Sequence, residues 1–386
     1  MRRLRLGERP EWRETAAAAG FHFHSVGGAP YWDESHAYAF SLAEIERDIE
    51  AASADLHALC LAFVDRAVGD ERVLASLGLP EPAWDAVRAS WRRRDPSLYG
   101  RLDLSYGGAG PAKLLEYNAD TPTALYESAV FQWLWLEQML AAGRLPAGAD
   151  QFNILHERLI GRLRAVVPGG HLALACDADA PEDRGTVAYL EDCARQADLA
   201  TRFLDLAEIG LDGDGRFVDP DRQVIPALFK LYPWEWAFRD PFGSRVGDAG
   251  TRFLEPPWKA VLSSKGLLPH LHAMAPHHPN LLPAYFESDP ASSALGGSFV
   301  RKPILSREGA NIEIRRDGAL VAACGGPYGA EGSVLQGLAE LSDFDGRYPV
   351  IGSWIVGDEP AGLCIRESAG LITTDGALFV PHLILP

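Results

Sequence analysis

Residues 101–123 read RLDLSYGGAGPAKLLEYNADTPT, and the organisation of the chain is best approached from this stretch. Arg101-Leu-Asp-Leu-Ser-Tyr106 alternates polar with apolar side chains, Gly107–Gly110 supplies a turn, and Lys113-Leu-Leu-Glu-Tyr-Asn118 resumes a strand pattern. Together they predict a β-hairpin with a rather long loop. Successive strand side chains alternate faces, so Arg101 shares a face with Asp103, and Glu116 shares one with Asn118 on the partner strand. If Asp103 pairs with Glu116, Arg101 falls opposite Asn118 and all four project together. Two adjacent carboxylates are costly without a cation or a proton between them. Asp, Glu and an Asn carbonyl are hard oxygen ligands that suit magnesium, with phosphate oxygens and water in the open positions. A solvated hairpin face with one ion pair is the alternative that this spacing leaves open.

Outward from the hairpin, the pattern is mixed. Upstream, residues 41–68 carry Leu42, Ile45, Ile49, Leu56, Leu59 and Phe63 near helical period, with Ser41 and Glu44 at capping-box spacing. A second helix is predicted over 82–94, and residues 1–30 read as irregular. Downstream, Thr121-Pro-Thr123 breaks into a helix over 124–141. Strands at 171–176 and 201–205 flank a helix over 186–197, the order of a βαβ unit. Proline-rich segments near 220–226, 256–257 and 276–290 read as punctuation. Strands return at 298–304, 312–316, 348–356, 363–367 and 377–385. The class is mixed α/β, with antiparallel sheet in the C-terminal half.

Composition narrows the function. With 47% hydrophobic residues over 386 positions, the chain can bury a large core and is not of the disordered class. A formal net charge of -17 repels phosphate backbones and anionic lipid, so nucleic acid and membranes are not expected partners. The same charge serves solubility, or would favour a cationic substrate such as a polyamine. Cys60, Cys176, Cys193, Cys324 and Cys364 are scattered and show no CxxC pair, which fits a reducing compartment rather than a disulfide framework or zinc. The basic N-terminus lacks an apolar h-region, and no apolar run is long enough to span a bilayer. A cytoplasmic location is expected.

Further cations stand in informative places. Lys302 lies mid-strand in Phe299-Val-Arg-Lys-Pro-Ile304, and Lys265 follows Val261-Leu-Ser-Ser264. A lysine on an inner strand face is expensive unless an anion pairs with it, and phosphate is an obvious candidate. A snorkelling lysine or a local ion pair is the plainer reading. Ser306-Arg-Glu-Gly-Ala-Asn311 is a short loop whose Gly309 could bring backbone N–H groups close to phosphate, although an ordinary hairpin turn has the same look. Arg366 is a third cation, on a C-terminal strand. His22, His24, His277 and His278 lack metal-ligand spacing with acids. Gly325-Gly-Pro-Tyr-Gly329 lacks the lysine and serine of a P-loop, and Trp234-Glu-Trp236 reads as core or cleft wall.

Arg101-Leu-Asp103, Leu115-Glu-Tyr-Asn-Ala-Asp-Thr-Pro-Thr123 and Gln132-Trp133 follow Tyr31-Trp-Asp-Glu34 in an order that resembles the glutathionylspermidine synthase family, including its shorter members without an amidase domain. The likeness runs from residue 31 to the C-terminal strands. It implies an ATP-grasp-like fold with a pre-ATP-grasp-type portion, and parts near 1–100, 101–240 and 241–386. It also implies an ATP- and magnesium-dependent ligase that joins a small-molecule carboxylate to an amine through an acyl phosphate. By the resemblance Asp103, Glu116 and Asn118 are the magnesium ligands, and Arg101 and Arg366 face the transferring phosphoryl group. Lys265, Lys302 and Gln336 belong to the nucleotide site, with Tyr348 to Val356 as the strand giving hydrogen bonds to adenine. The loop with Gly309 covers the phosphates, and Arg307 reaches the acid substrate.

Departures from the family fall at substrate-contacting positions. Thr121 and Thr123 keep hydroxyls where bifunctional members carry serines. Leu231 and Trp236 stand where glutathione-contacting threonines are found, and Glu182 or Asp183 stands in for an acidic contact. Glutathione and spermidine therefore remain open. A non-catalytic nucleotide- or partner-binding relative, and an ATP-dependent kinase, are the competing readings.

Overall fold

The computed structural model describes residues 1–386 and contains the hairpin in the expected register. Tyr99–Ser105 pairs antiparallel with Lys113–Asn118, with Asp103 opposite Glu116 and Arg101 opposite Asn118. The hairpin forms one side of a five-stranded sheet continued by Tyr348–Val356, Glu359–Ser368 and Leu378–Phe379. Its other face explains the register. Leu102, Leu104, Tyr117 and, past a bulge that lets Leu104 face Leu114, Leu114 itself bury in a core with Leu56, Cys60, Phe63 and Val64, and a slip of one residue would turn that apolar set into the cleft.

The capping box is present. The Ser41 N–H donates to Glu44 Oε2 at 2.8 Å and the Glu44 N–H donates back to Ser41 Oγ at 3.3 Å. A π-helical turn at Glu44–Glu50 then runs into the helix Ala51–Ala67. The βαβ reading is present as well: Arg252–Leu254, Ala227–Lys230, His171–Cys176 and Ala200–Asp205 form a parallel sheet. Its crossover helix is Pro181–Gln196, which starts five residues earlier than the sequence pattern indicates. Proline suits the first helical turn, where its missing N–H has no partner to lose. Glu182 and Asp183 therefore sit in that first turn.

Other expectations are corrected. Residues 1–30 are not irregular: Arg2–Arg5 is a strand and Trp12–Ala18 a helix. The proline-rich 276–290 stretch contains the strand Ala284–Phe286, at the edge of an antiparallel sheet in the order Ala284–Phe286, Ser333–Gly337, Phe299–Pro303, Glu313–Arg316, Ala319–Ala323. Edge strands tolerate nearby proline because one side of the backbone needs no partner. The 377–385 strand is two, broken before Pro381; His382–Leu385 leaves the central sheet and pairs in parallel with His36–Ser41. The central sheet also joins residues from both sides of the 240/241 division, so that division does not follow the sheet. Among the described residues no helix is long and apolar enough to cross a membrane.

Candidate active site

Twelve of the candidate residues named from sequence line one cleft between the central sheet and the 284–337 sheet, whereas Glu182 and Asp183 lie outside that lining. The hairpin's polar face forms its floor. Arg101 and Asp103 are almost wholly buried there, and the guanidinium donates from Nε to Asp103 Oδ1 at 2.7 Å. Arg366, on the strand Glu359–Ser368, donates to Asp103 Oδ2 at 2.8 Å, and Asn118 Nδ2 donates to the same oxygen at 3.0 Å. Asn118 thus spends its amide nitrogen on the carboxylates and keeps its carbonyl oxygen for another partner. Lys265 Nζ sits 3.0 Å from Glu116 Oε2 and donates to the Ser306 carbonyl at 2.8 Å. Lys302 donates to the Leu115 carbonyl and to Gln336 Oε1, both at 2.8 Å.

Electrostatics set these groups apart from ordinary surface pairs. Burial alone would raise the Glu116 carboxyl, but the ammoniums of Lys265 and Lys302 outweigh it and hold the group down at about 2. It is a carboxylate at any working pH, as a metal ligand must be. Burial also depresses the Lys302 ammonium to about 8, against the pull of Glu116. Below that value Lys302 is charged and can pair with a phosphate; above it the group is neutral. Affinity for ATP is accordingly expected to fall as pH rises through about 8, with proton uptake on binding. Calorimetry at pH 8.5 in buffers of different ionisation enthalpy would detect the uptake, and Lys302→Met should abolish it. A buffer-independent heat would contradict this account.

Gln336 lines the cleft, but its amide is engaged on both sides: Oε1 takes the Lys302 ammonium and Nε2 donates to the Leu114 carbonyl at 2.9 Å. Its work is to aim Lys302. Gly309 has φ +75°, and a Cβ there would meet the Thr373 carbonyl at 2.7 Å, so the 306–311 loop lies directly on 372–373. Arg307 from that loop donates to Thr121 Oγ1 at 2.7 Å and lies 3.6 Å from Glu235. The adenine strand is corrected over most of its length: Tyr348–Val356 pairs throughout with Glu359–Ser368, and Ile351–Val356 also pairs with Tyr99–Ser105, so from Ile351 onward its backbone has no free edge for a base. The 337–341 segment lines the cleft instead, with apolar Val300, Ile314 and Val350 nearby.

Several supporting residues carry no local signal in sequence. Gly352 sits behind Arg101, where an added Cβ would come within 2.5 Å of Arg101 Cδ and 2.6 Å of Cys364 Sγ. Asp120 receives Lys230 at 2.8 Å and the Trp234 N–H at 2.7 Å, tying the hairpin exit to the parallel sheet. Beyond Thr123, Glu182 and Glu308 are pushed up, Glu308 to about 7, by burial and by acidic neighbours including Asp375. Of these carboxyls Glu308 lines the cleft, beside Arg307.

The sequence model of the glutathionylspermidine synthase preATP-grasp family matches residues 3–385. The chain belongs to the glutathionylspermidine synthase family. Membership makes it a ligase of ATP-grasp type. A Haemophilus influenzae protein that carries the name of an acid–amine ligase is 40% identical over 395 residues, 98% of each chain. Trypanothione synthetase of Crithidia fasciculata is 28% identical over 84% of this chain and 53% of its own length. The bifunctional glutathionylspermidine synthetase/amidase of Escherichia coli is 26% identical over 88% and 58%. The chain therefore spans just over half the length of these last two relatives. Among solved structures, a glutathione synthetase-like effector of Globodera pallida superposes with TM-score 0.52 at 13% identity, covering 90% of this chain and 89% of that one, which is a likeness of fold.

Proposed function

We propose that this glutathionylspermidine synthase family member uses ATP and magnesium to join a small carboxylic acid to an amine through an acyl phosphate. The observation that carries the reading is convergence: Arg101, Arg366, Lys265 and Lys302 face Asp103 and Glu116 across one cleft. Four cations and two carboxylates leave a local surplus of two positive charges. A nucleoside triphosphate chelated to one divalent cation carries about two negative charges, so the site is matched to that species rather than to a neutral ligand.

Asp103, Glu116 and the free carbonyl of Asn118 form a hard-oxygen set that fits magnesium, since both carboxylates are held by cations and the Asn118 nitrogen already points at them. Bound there, magnesium would neutralise and orient phosphate oxygens. Lys265 and Lys302 grip phosphate, with Lys302 aimed by Gln336. Arg101 and Arg366 stabilise charge on the phosphoryl group as it passes to the acid, a reaction governed by positioning and electrostatics. Arg307, Thr121 and Thr123 hold the acid, and the Glu308 carboxyl, which lines the same cleft, receives the amine as its cation. A peptide or glutathione-like acid and a polyamine fit these polarities.

Calorimetry tests the core of this reading. Wild type is expected to bind ATP in the presence of magnesium, and Glu116→Ala to weaken that binding by at least about 100-fold. Without magnesium the variant should bind ATP as well as wild type, because Lys265 is then freed from its carboxylate. No binding by folded wild type would sink the ligase reading. A screen of ADP release with glutathione, amino acids and short peptides as acids, and polyamines and amino acids as amines, separates ligase from kinase. Release must require both partners.

A further inference from the structure

Beside Arg307 stands a nearly buried carboxylate that the phosphoryl chemistry does not use. Glu235 lines the same cleft and is 8% exposed. It belongs to the short helix Trp234–Ala237, whose start is pinned where Asp120, just past the hairpin, accepts the Trp234 N–H at 2.7 Å. Arg239 Nη1 donates to the Glu235 carbonyl at 2.7 Å and holds the other side. The backbone of Glu235 is therefore fixed relative to the hairpin exit. Its carboxylate is not answered in the same way. Among the described residues its one ionic partner is Arg307, whose Nη1 lies 3.6 Å from Oε1, beyond hydrogen-bond length. A carboxylate so far out of water is costly without donors, and the cleft is the side from which a donor can come.

Arg307 does not depend on Glu235 for its position. Its Nη2 donates to Thr121 Oγ1 at 2.7 Å, and its Cζ lies 5.9 Å from the centre of the Trp236 ring. Elsewhere the chain closes such pairs: Arg3 meets Glu367 from Nε at 2.6 Å and from Nη2 at 2.9 Å. Here a guanidinium and a carboxylate stand side by side with a gap between them, both on the wall of a ligand cleft.

We propose that Glu235 receives the ammonium of the acid substrate while Arg307 takes the carboxylate of the same α-amino acid head. The ligase then selects amino acids, and peptides that carry such a head, over plain carboxylic acids. The inference rests on the ligase reading above and names the class of its acid. An α-amino acid head has one carbon between its two charges, and charge-assisted hydrogen bonds of about 2.8 Å on each side let it bridge the open pair. The ammonium seated there is a spectator. A carboxylate favours the protonated nitrogen, which has no lone pair for attack, so Glu235 suits the amino group of the acid and not the attacking nitrogen. An acid without the ammonium leaves Glu235 desolvated and unpaired, and that penalty is the source of the discrimination.

The test pairs acids with their des-amino forms in ADP release, with the amine selected by the screen. L-Glutamate is set against glutarate, and every other active amino acid or peptide against its own des-amino form. Wild type is expected to show a KM about 30-fold lower for the amino form. Glu235→Gln should remove that advantage, raising KM for the amino form about 30-fold while kcat, and KM for the des-amino form, stay within about threefold. Glu235→Ala, which leaves no oxygen to accept from the ammonium, should show the same split. Arg307→Gln should raise KM for both forms alike, because both carry the carboxylate. Thermal unfolding of each variant establishes that it is folded. A folded Glu235→Gln that weakens both forms equally would overturn the proposal and leave Glu235 a brace for Arg307, with the ligase reading intact. A wild-type preference for acids without an amino group would overturn it as well. Wild type that releases ADP with no acid of the screen would remove both.

Discussion

Asp103→Asn is expected to lower ADP release by about 1,000-fold, the largest loss of any conservative change in the cleft. Asp103 is the one carboxylate contacted by both arginines: Oδ1 takes Arg101 and Oδ2 takes Arg366 and Asn118. An amide fills the same volume but loses the charge, and must turn an NH2 toward one guanidinium. Two arginines then face each other without the anion that holds them together, and the hard-oxygen set loses a ligand. Glu116 is differently placed, since its loss frees Lys265 for phosphate and partly compensates. Single-turnover ADP formation, read beside thermal unfolding, decides the matter. A variant within tenfold of wild type would mean that Asp103 only braces the arginines.

What was legible in the sequence lay in local pattern. The hairpin register follows from a two-residue alternation that buries Leu102, Leu104 and Tyr117 on one side, and this fixed where Arg101, Asp103, Glu116 and Asn118 would point. The capping box at Ser41 and the βαβ unit were equally local. The adenine strand misled for a physical reason. Tyr348–Val356 is long, apolar and next to the site, but those properties describe the middle of a sheet, and from Ile351 to Val356 the strand is paired on both edges and cannot offer its backbone to a ligand. The shorter Ser333–Gly337, from which the cleft-lining 337–341 segment continues, gave too brief a pattern.

The remainder was hidden because it depends on partners far apart in the chain. Glu182, Glu308 and Asp375 come from separate segments, and only the fold brings their carboxyls close enough to act on one another. That Lys230 answers Asp120, 110 positions earlier, is a tertiary fact. Gly352 looks like any strand glycine until the Arg101 side chain is seen to occupy the space its Cβ would need. Conversely, charged residues in apolar strands were a sound signal, because burying an unpaired charge is costly enough that Arg101 and Lys302 had to meet anions or carbonyls.

The same argument predicts the largest stability loss away from the cleft, at Glu255→Ala. Glu255 is fully buried; its carboxylate accepts the Leu98 N–H at 3.0 Å and the Tyr99 N–H at 2.9 Å, and lies 3.3 Å from Lys259 Nζ. Burial pushes the carboxyl upward, while Lys259 and the two amides favour the charged form. Removing it orphans two buried amides and leaves an ammonium, itself 1% exposed, with only Ser97 Oγ at 3.3 Å and the Tyr99 carbonyl at 3.0 Å. Breaking one side of such a buried pair costs about 3–5 kcal/mol. Tyr99 opens the strand that carries Arg101 and Asp103, so ATP binding should fall together with the urea midpoint. Lys259→Met in the Glu255→Gln background should recover part of the loss, because neither partner is then left charged. A midpoint unmoved by Glu255→Ala would show that water or the neighbouring backbone answers these groups, and that the hairpin does not depend on this anchor.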